Sequence, residues 1–264
     1  GILPIKKYGE HSAINIFNEY SMIEPKDLGE YFGFTETEVR EQCNEYGADY
    51  EEMKKWYDGY QLDELLIYNP KSVVDALMWK DFQSYWTGTE TYEALKVYID
   101  LNFDGLKEAV IKMLGNGRCR INTRKFQNDM TTFHTKDDVL TLLIHLGYLT
   151  YDRKTREAFI PNQEIAQEFQ NAIEGPAWDG VIRSLEQSAD LLECTWKMDG
   201  KAVAGRLETI HSETTSILKY NDENSLTCTI LMAYYSAQAY YMKPIMEFPA
   251  GKGFADVVYL PRRN

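Results

Sequence analysis

No apolar run in this sequence approaches the roughly 18 residues that a membrane-spanning helix needs, so no such helix is encoded. Cysteine is sparse: Cys43, Cys119, Cys194 and Cys228 lie far apart, with no C-x-x-C pair. That spacing argues against a zinc site and against a disulfide framework, and it fits a reducing cytoplasm. Histidine is equally thin. His11, His134, His145 and His211 are scattered with no H-E-x-x-H, and they read as structural; His145, in an apolar helical pattern, reads as a hydrogen-bonded core residue. There is no G-x-S-x-G elbow. There is no G-x-x-x-x-G-K-[ST] either. Gly175 to Gly180 has the spacing, but Val181 and Ile182 stand where Lys and Ser/Thr are required, and Gly251-Lys252-Gly253 is too short to cradle a phosphate.

Positive charge is also in deficit. Against 41 Asp and Glu stand 28 Lys and Arg, a net charge of −13, which argues against a chain that binds polyanions as a whole. The distribution is uneven. Residues 1–60 carry six basic and thirteen acidic side chains, whereas residues 118–156 carry eight basic residues and four Asp, a +4 island. The opening run, Gly1 to Tyr8, turns polar too soon for a signal peptide. The missing initiator Met, the strand-like Ile2 to Ile5 and a finish soon after a strand lead us to expect a piece of a longer protein.

What is present is a series of short helices with local start and stop signals. Thr35-Glu36-Thr37-Glu38 reads as a capping box and Gly47 as the residue ending that helix. Asp49 caps the next, which carries Met53, Trp56 and Tyr57 on one face. Trp56-Tyr57-Asp58-Gly59-Tyr60 then turns the chain; its aromatics read as core packing, with ligand contact as the alternative. Asn69-Pro70 opens a helix through Val73, Val74, Leu77 and Met78. Further helices are expected over 91–101 and 104–114, stopped by Gly115-Asn116-Gly117. The sum is a helical bundle, mainly α with small β elements.

The basic island has its own architecture. Arg118 to Thr123 alternates like a strand, and Thr135 to Asp138 caps a helix through Val139, Leu142, Leu143 and Leu146 that Gly147 ends. Tyr148 to Tyr151 and Ala158 to Ile160 read as a hairpin with a charged tip, and Asn162 caps a helix through Ile165, Phe169 and Ile173. A helix leading into a basic-tipped hairpin predicts a winged-helix-like unit over 116–175. Arg153, Lys154 and Arg156 are the candidate nucleic-acid contacts. The helix before the hairpin is apolar, a poor recognition helix, so protein docking or a lid role stands beside nucleic-acid binding. Helices follow over 178–197 and 201–211, then an apolar helix from an Asn221-Asp222 cap through Ala237. Last comes Glu247 to Pro261: strand, glycine turn, and a strand Val257 to Leu260 with Asp256 at its mouth. Asp256 reads as a turn residue, or as a charge with a job, since a carboxylate at such a place is costly.

Several stretches together are specific: Gly1-Ile-Leu-Pro-Ile-Lys-Lys-Tyr-Gly9, Trp56-Tyr-Asp-Gly-Tyr60, Tyr68-Asn-Pro-Lys-Ser-Val73, Tyr85-Trp-Thr87, Leu142-Leu-Ile-His-Leu-Gly-Tyr148 and Ala250-Gly-Lys-Gly-Phe-Ala-Asp256. Over its whole length the chain resembles a bacterial family with an AAA-type ATPase domain followed by a PD-(D/E)XK nuclease-superfamily domain. The resemblance implies that residues 1–115 hold the end of an ATPase core and a helical lid, and that 176–264 hold a linker and the start of an α/β PD-(D/E)XK-like domain. In that fold a helix carboxylate, a hairpin Asp and an E-x-K surround Mg²⁺, which activates a water for phosphodiester hydrolysis. Glu223 matches the helix carboxylate and Asp256 the hairpin Asp, as metal ligands and catalytic groups. The E-x-K is not in this sequence, and Lys252 is only a remote substitute. Mg²⁺ and ATP are therefore cofactors expected of the complete domains, and this segment is expected to be inactive in both chemistries. Nucleic acid, a protein partner or a second copy are the partners to weigh, and no membrane. A regulatory interaction protein, using the acidic helices of 10–60, is the remaining alternative.

Overall fold

Local capping explains why the helices begin and end where they do. In the computed structural model, which describes residues 20–86, 91–101, 103–126, 133–173, 178–215 and 223–262, Thr35 Oγ1 accepts the Glu38 N–H at 3.4 Å. Glu38 Oε2 in turn accepts the Thr35 N–H at 2.8 Å. This capping box opens α1 (Glu36–Tyr46), and Gly47 closes it in the left-handed region at φ 66°. Asp49 Oδ1 accepts the N–H groups of Glu51 and Glu52 to start α2 (Tyr50–Tyr57). Asn69 Oδ1 accepts the Lys71 N–H, with Pro70 as the first residue of α3 (Pro70–Trp79). The expected strand over Ile2 to Ile5 and the Asn221-Asp222 cap lie outside the described residues.

Contacts divide the chain into two compact units, one of Gly1–Phe103 with Arg120–Phe169, the other of Asp104–Cys119 with Gln170–Asn264. In the first, β1 (Phe34–Thr35), β2 (Tyr60–Leu62) and β3 (Leu65–Tyr68) form an antiparallel sheet in the order β1-β3-β2. Val39, Cys43, Met53, Tyr57, Tyr68 and Val73 make the core beside it. After α4 (Thr91–Asp100), the chain reaches β4 (Cys119–Arg120). It then enters α6 (Lys136–Leu146), where Asp138 Oδ2 accepts from the Thr135 N–H and hydroxyl at 2.9 and 3.0 Å. Gly147 ends α6 at φ 86°. The hairpin of β5 (Thr150–Asp152) and β6 (Glu157–Phe159) follows in the order β4-β6-β5. Thr150 Oγ1 accepts the Gln61 N–H at 2.7 Å and ties β5 to β2. Asn162 then caps α7 (Gln163–Ala172) through the Ile165 N–H, and its amide donates to the Asp58 carbonyl at 2.9 Å.

The second unit contains α5 (Leu106–Leu114), α8 (Asp179–Trp196), α9 (Gly200–Thr215) and α10 (Glu223–Ala233). It also holds the antiparallel pair β7 (Ile245–Ala250) and β8 (Gly253–Val258). Leu191, Ile210 and Ala233 form a buried core where α8, α9 and α10 meet. Gly115 lets α10 come close, since a Cβ there would sit 2.5 Å from Leu231 Cβ. The protein is mainly helical with small antiparallel sheets, and no described helix is long and apolar enough to cross a membrane.

Three expected elements come out differently. The strand expected over Val257 to Leu260 runs instead over Gly253–Val258. Arg118 to Thr123 is strand only at Cys119–Arg120, because the Asn122 side chain accepts the Arg124 N–H and starts a short 3₁₀ turn over Thr123–Lys125. The apolar helix expected to reach Ala237 stops as α-helix at Ala233 and tightens into a 3₁₀ turn over Tyr235–Ala239. There the Ser236 N–H leaves the helical ladder for Ser188 Oγ at 2.6 Å.

Gly59 is the position where backbone freedom matters most. Its φ is 100°, and an added Cβ would lie 2.2 Å from the Pro161 carbonyl oxygen. Gly59→Ala is expected to cost about 2 kcal/mol or more in urea denaturation. Wild-type stability in that variant would show that the Gly59–Pro161 approach is not a constraint.

Candidate functional site

Asp256 is the residue with the strongest chemical expectation, and its setting decides between the two readings of it. The turn is made by Gly251 (φ 63°) and Lys252, while Asp256 stands inside β8, exposed. It is therefore a strand residue and not a turn residue. The register pairs Met246 with Val257 and Phe248 with Ala255, which sets Glu247 opposite Asp256. Glu247 is exposed too, and adopts the left-handed region at φ 49°. The ladder skips this one pair, and the left-handed Glu247 departs there from the regular strand alternation. The Asp256 carboxylate has no hydrogen bond or ion pair with any described residue. Glu223 is the first residue of α10; its side chain is outside the described residues. Among the described residues no three His, Cys, Asp or Glu side chains converge as a metal site. Lys252 is exposed in the turn.

The basic tip is placed as expected, at the β5–β6 turn, where Asp152 Oδ1 accepts the N–H groups of Lys154 and Thr155. Its charges are largely matched. Arg153 pairs with Asp63 at 3.0 Å and Glu24 at 3.6 Å, and Lys154 pairs with Glu64 at 2.5 Å. The Glu64 carboxylate raises the Lys154 pKa. Arg156 is exposed, with a positive φ of 59°, and its side chain has no partner among the described residues. The acidic residues that meet the tip come from the β2–β3 turn and the segment before β1, so the +4 island is partly neutralised within its own unit.

A polar centre that sequence reasoning missed lies inside the first unit, on α7. Glu164 and Glu168, one helical turn apart, are both 0% exposed. Glu164 accepts the Ser72 hydroxyl at 2.9 Å on either oxygen and the Tyr85 backbone N–H at 2.9 Å. Glu168 Oε1 accepts the Ser84 hydroxyl at 2.6 Å, while its Oε2 is buried without a hydrogen bond among the described residues. Burial pushes the Glu164 pKa up to about 7, with the Glu168 charge adding to it; the Tyr85 N–H, Ser72 and Lys71 pull it down. The signal available in sequence was a pair of Glu at i, i+4 inside the apolar stripe of Ile165 and Phe169.

The aromatic turn is core. Tyr57 is fully buried, donates its hydroxyl to the Gln83 carbonyl at 2.9 Å, and lies near Trp56, Phe82 and Tyr85. Trp86 packs on Tyr148 with ring centres 5.1 Å apart, and an added Cβ on Gly147 would meet it at 3.3 Å. His145 is half-buried with its ring stacked on Phe126. No family model matches this chain, and no curated protein or solved structure matches it.

Asp256→Asn removes one exposed negative charge from a chain of net charge −13 and is expected to raise the thermal midpoint slightly with the circular dichroism spectrum unchanged. A lowered midpoint would show that Asp256 supports the hairpin.

Proposed function

We propose that this chain is the lid-and-support part of a nucleic-acid-processing protein of the ATPase and PD-(D/E)XK kind. In this reading Asp256 is one carboxylate of a metal site to which other parts of such a protein contribute. The observation that carries it is the placement of Asp256: mid-strand, exposed, and with its carboxylate unpaired among the described residues. Neither a cap nor a turn nor an ion pair accounts for a carboxylate there, and a solvated carboxylate without a protein partner is open to a cation.

The described residues do not by themselves fit Mg²⁺, since no three ligand groups converge. The sequence likewise has no phosphate loop for ATP. No step is therefore assigned to either group. What these residues do is positional: β8 fixes Asp256 on the hairpin, and the capped helices of the first unit brace its small sheets. The basic tip is a weakened candidate for nucleic-acid docking, because Glu24, Asp63 and Glu64 beside Arg153 and Lys154 lower its net charge through exposed ion pairs.

Two measurements test this. Calorimetric titration with Mn²⁺ is expected to give weak binding that Asp256→Asn abolishes, and the chain alone is expected not to nick plasmid DNA with Mg²⁺ or Mn²⁺. Equal Mn²⁺ binding by both forms would remove Asp256 from any site. Separately, neutralising Arg153, Lys154 and Arg156 to Ala is expected to change DNA retention on filters by less than about twofold at low salt. A steep, salt-dependent loss would restore the tip as the nucleic-acid contact.

A further inference from the structure

Between α3 and α4 the chain runs through Ser84-Tyr85-Trp86, and two side chains from one distant helix hold it. Glu164 accepts the Tyr85 N–H and Glu168 accepts the Ser84 hydroxyl; Ser84 Oγ in turn accepts the Trp86 N–H at 3.3 Å. Glu164 also reaches Ser72 in the first turns of α3, so the same carboxyl joins α3, the segment after it, and α7. Both glutamates are fully buried, and Glu168 keeps one oxygen unpaired among the described residues. We propose that Glu164 and Glu168 form a pH-operated clasp: a proton on the buried Glu164 holds residues 81–86 against α7, and its loss leaves a charge in a dry site beside Glu168 and loosens the segment.

The Tyr85 N–H, Ser72 and Lys71 offset the charge only in part, and burial outweighs them. From α3, Lys71 pairs with Asp75 at 2.6 Å and donates to the Tyr85 carbonyl at 3.3 Å, so it is shared before it helps Glu164. From the segment itself come Asp81 and Tyr85; from α2 and β2 come Tyr57 and Tyr60, whose hydroxyl pKa values are raised by burial first and by the Glu164 charge after it. On α7 the nearest titrating neighbour is Glu168, and its charge opposes ionisation of Glu164. Ser72 suits either state, donating to a carboxylate or accepting from a carboxylic acid.

The sign follows from linkage. The Glu164 pKa in the clasped state, about 7, lies above its ordinary value of 4.5. The clasped state therefore binds the proton more tightly, and its stabilisation is complete below about pH 4.5 and fades as pH rises through about 7. With those two values, opening becomes roughly tenfold more favourable between pH 6 and pH 8.

The test is hydrogen–deuterium exchange of the full chain, read at amides 81–86 and corrected for the intrinsic pH dependence of exchange. Protection is expected to fall about tenfold from pH 6 to pH 8 in the wild type. Glu164→Gln, which mimics the protonated acid, is expected to stay protected at both pH values. Glu168→Gln removes the opposing charge, lowers the Glu164 pKa, and is expected to shrink the fall and move it to lower pH. A flat wild-type profile, or a tenfold fall retained in Glu164→Gln, would overturn the proposal. If Glu164→Gln does not fold, an unchanged profile in Glu168→Gln overturns it and a shrunken one supports it.

Discussion

A single buried carboxyl sets the arrangement of the first unit. Glu164 has no access to water, and a polar group in that position must find partners or neutralise. It finds Ser72 and the Tyr85 N–H, and in doing so fixes α3, the segment after it and α7 to one another. Much else follows from that geometry. Ser84 is brought to Glu168, Tyr57 reaches the Gln83 carbonyl, and Trp86 is delivered onto Tyr148 over Gly147. A hydrogen-bonded network of this kind is costly to leave half-satisfied, which makes the unpaired oxygen of Glu168 its weakest point.

This geometry gives the distinctive sequence stretches of the first unit a structural purpose. Trp56 to Tyr60, Tyr68 to Val73, Tyr85-Trp86 and Leu142 to Tyr148 all supply residues to this core or its hydrogen bonds. Ser72 and the Tyr85 amide serve Glu164, Gly59 admits the Pro161 carbonyl, and Gly147 admits Trp86. In the second unit Asp256 lies exposed in β8, with no such network around its carboxylate. The contrast is physical: the carboxylates of α7 are buried and bonded, whereas that of β8 is solvated and unassigned.

What could be read from the sequence was what is local. The caps at Thr35, Asp49, Asn69, Thr135 and Asn162 and the stops at Gly47 and Gly147 depend on neighbours within a few residues. The hairpin of β7 and β8 was legible in part: apolar runs flanking Gly-Lys-Gly marked two strands, but the second was expected over Val257 to Leu260, whereas β8 runs Gly253–Val258 and takes in Asp256. The clasp was not, because Ser72 and Tyr85 lie 92 and 79 residues from Glu164. An i, i+4 glutamate pair on a helix ordinarily marks a wet face, and here tertiary packing buried it. The neutralised tip was hidden for the same reason: Asp63 approaches Arg153 across 90 residues of chain. The 3₁₀ turn after α10 was set by Ser188, 48 residues away from Ser236.

The claim that a buried Glu164 acid organises the first unit is tested most directly by titrating that carboxyl carbon in the intact protein. Glutamate labelled with ¹³C at the δ position, with Glu164→Gln to assign the signal, gives the ionisation midpoint itself. A midpoint near the value of about 7 that burial imposes is the result this account predicts. A midpoint near the ordinary value of 4.5 would mean that its hydrogen bonds hold Glu164 as a carboxylate in the folded unit, and would contradict it.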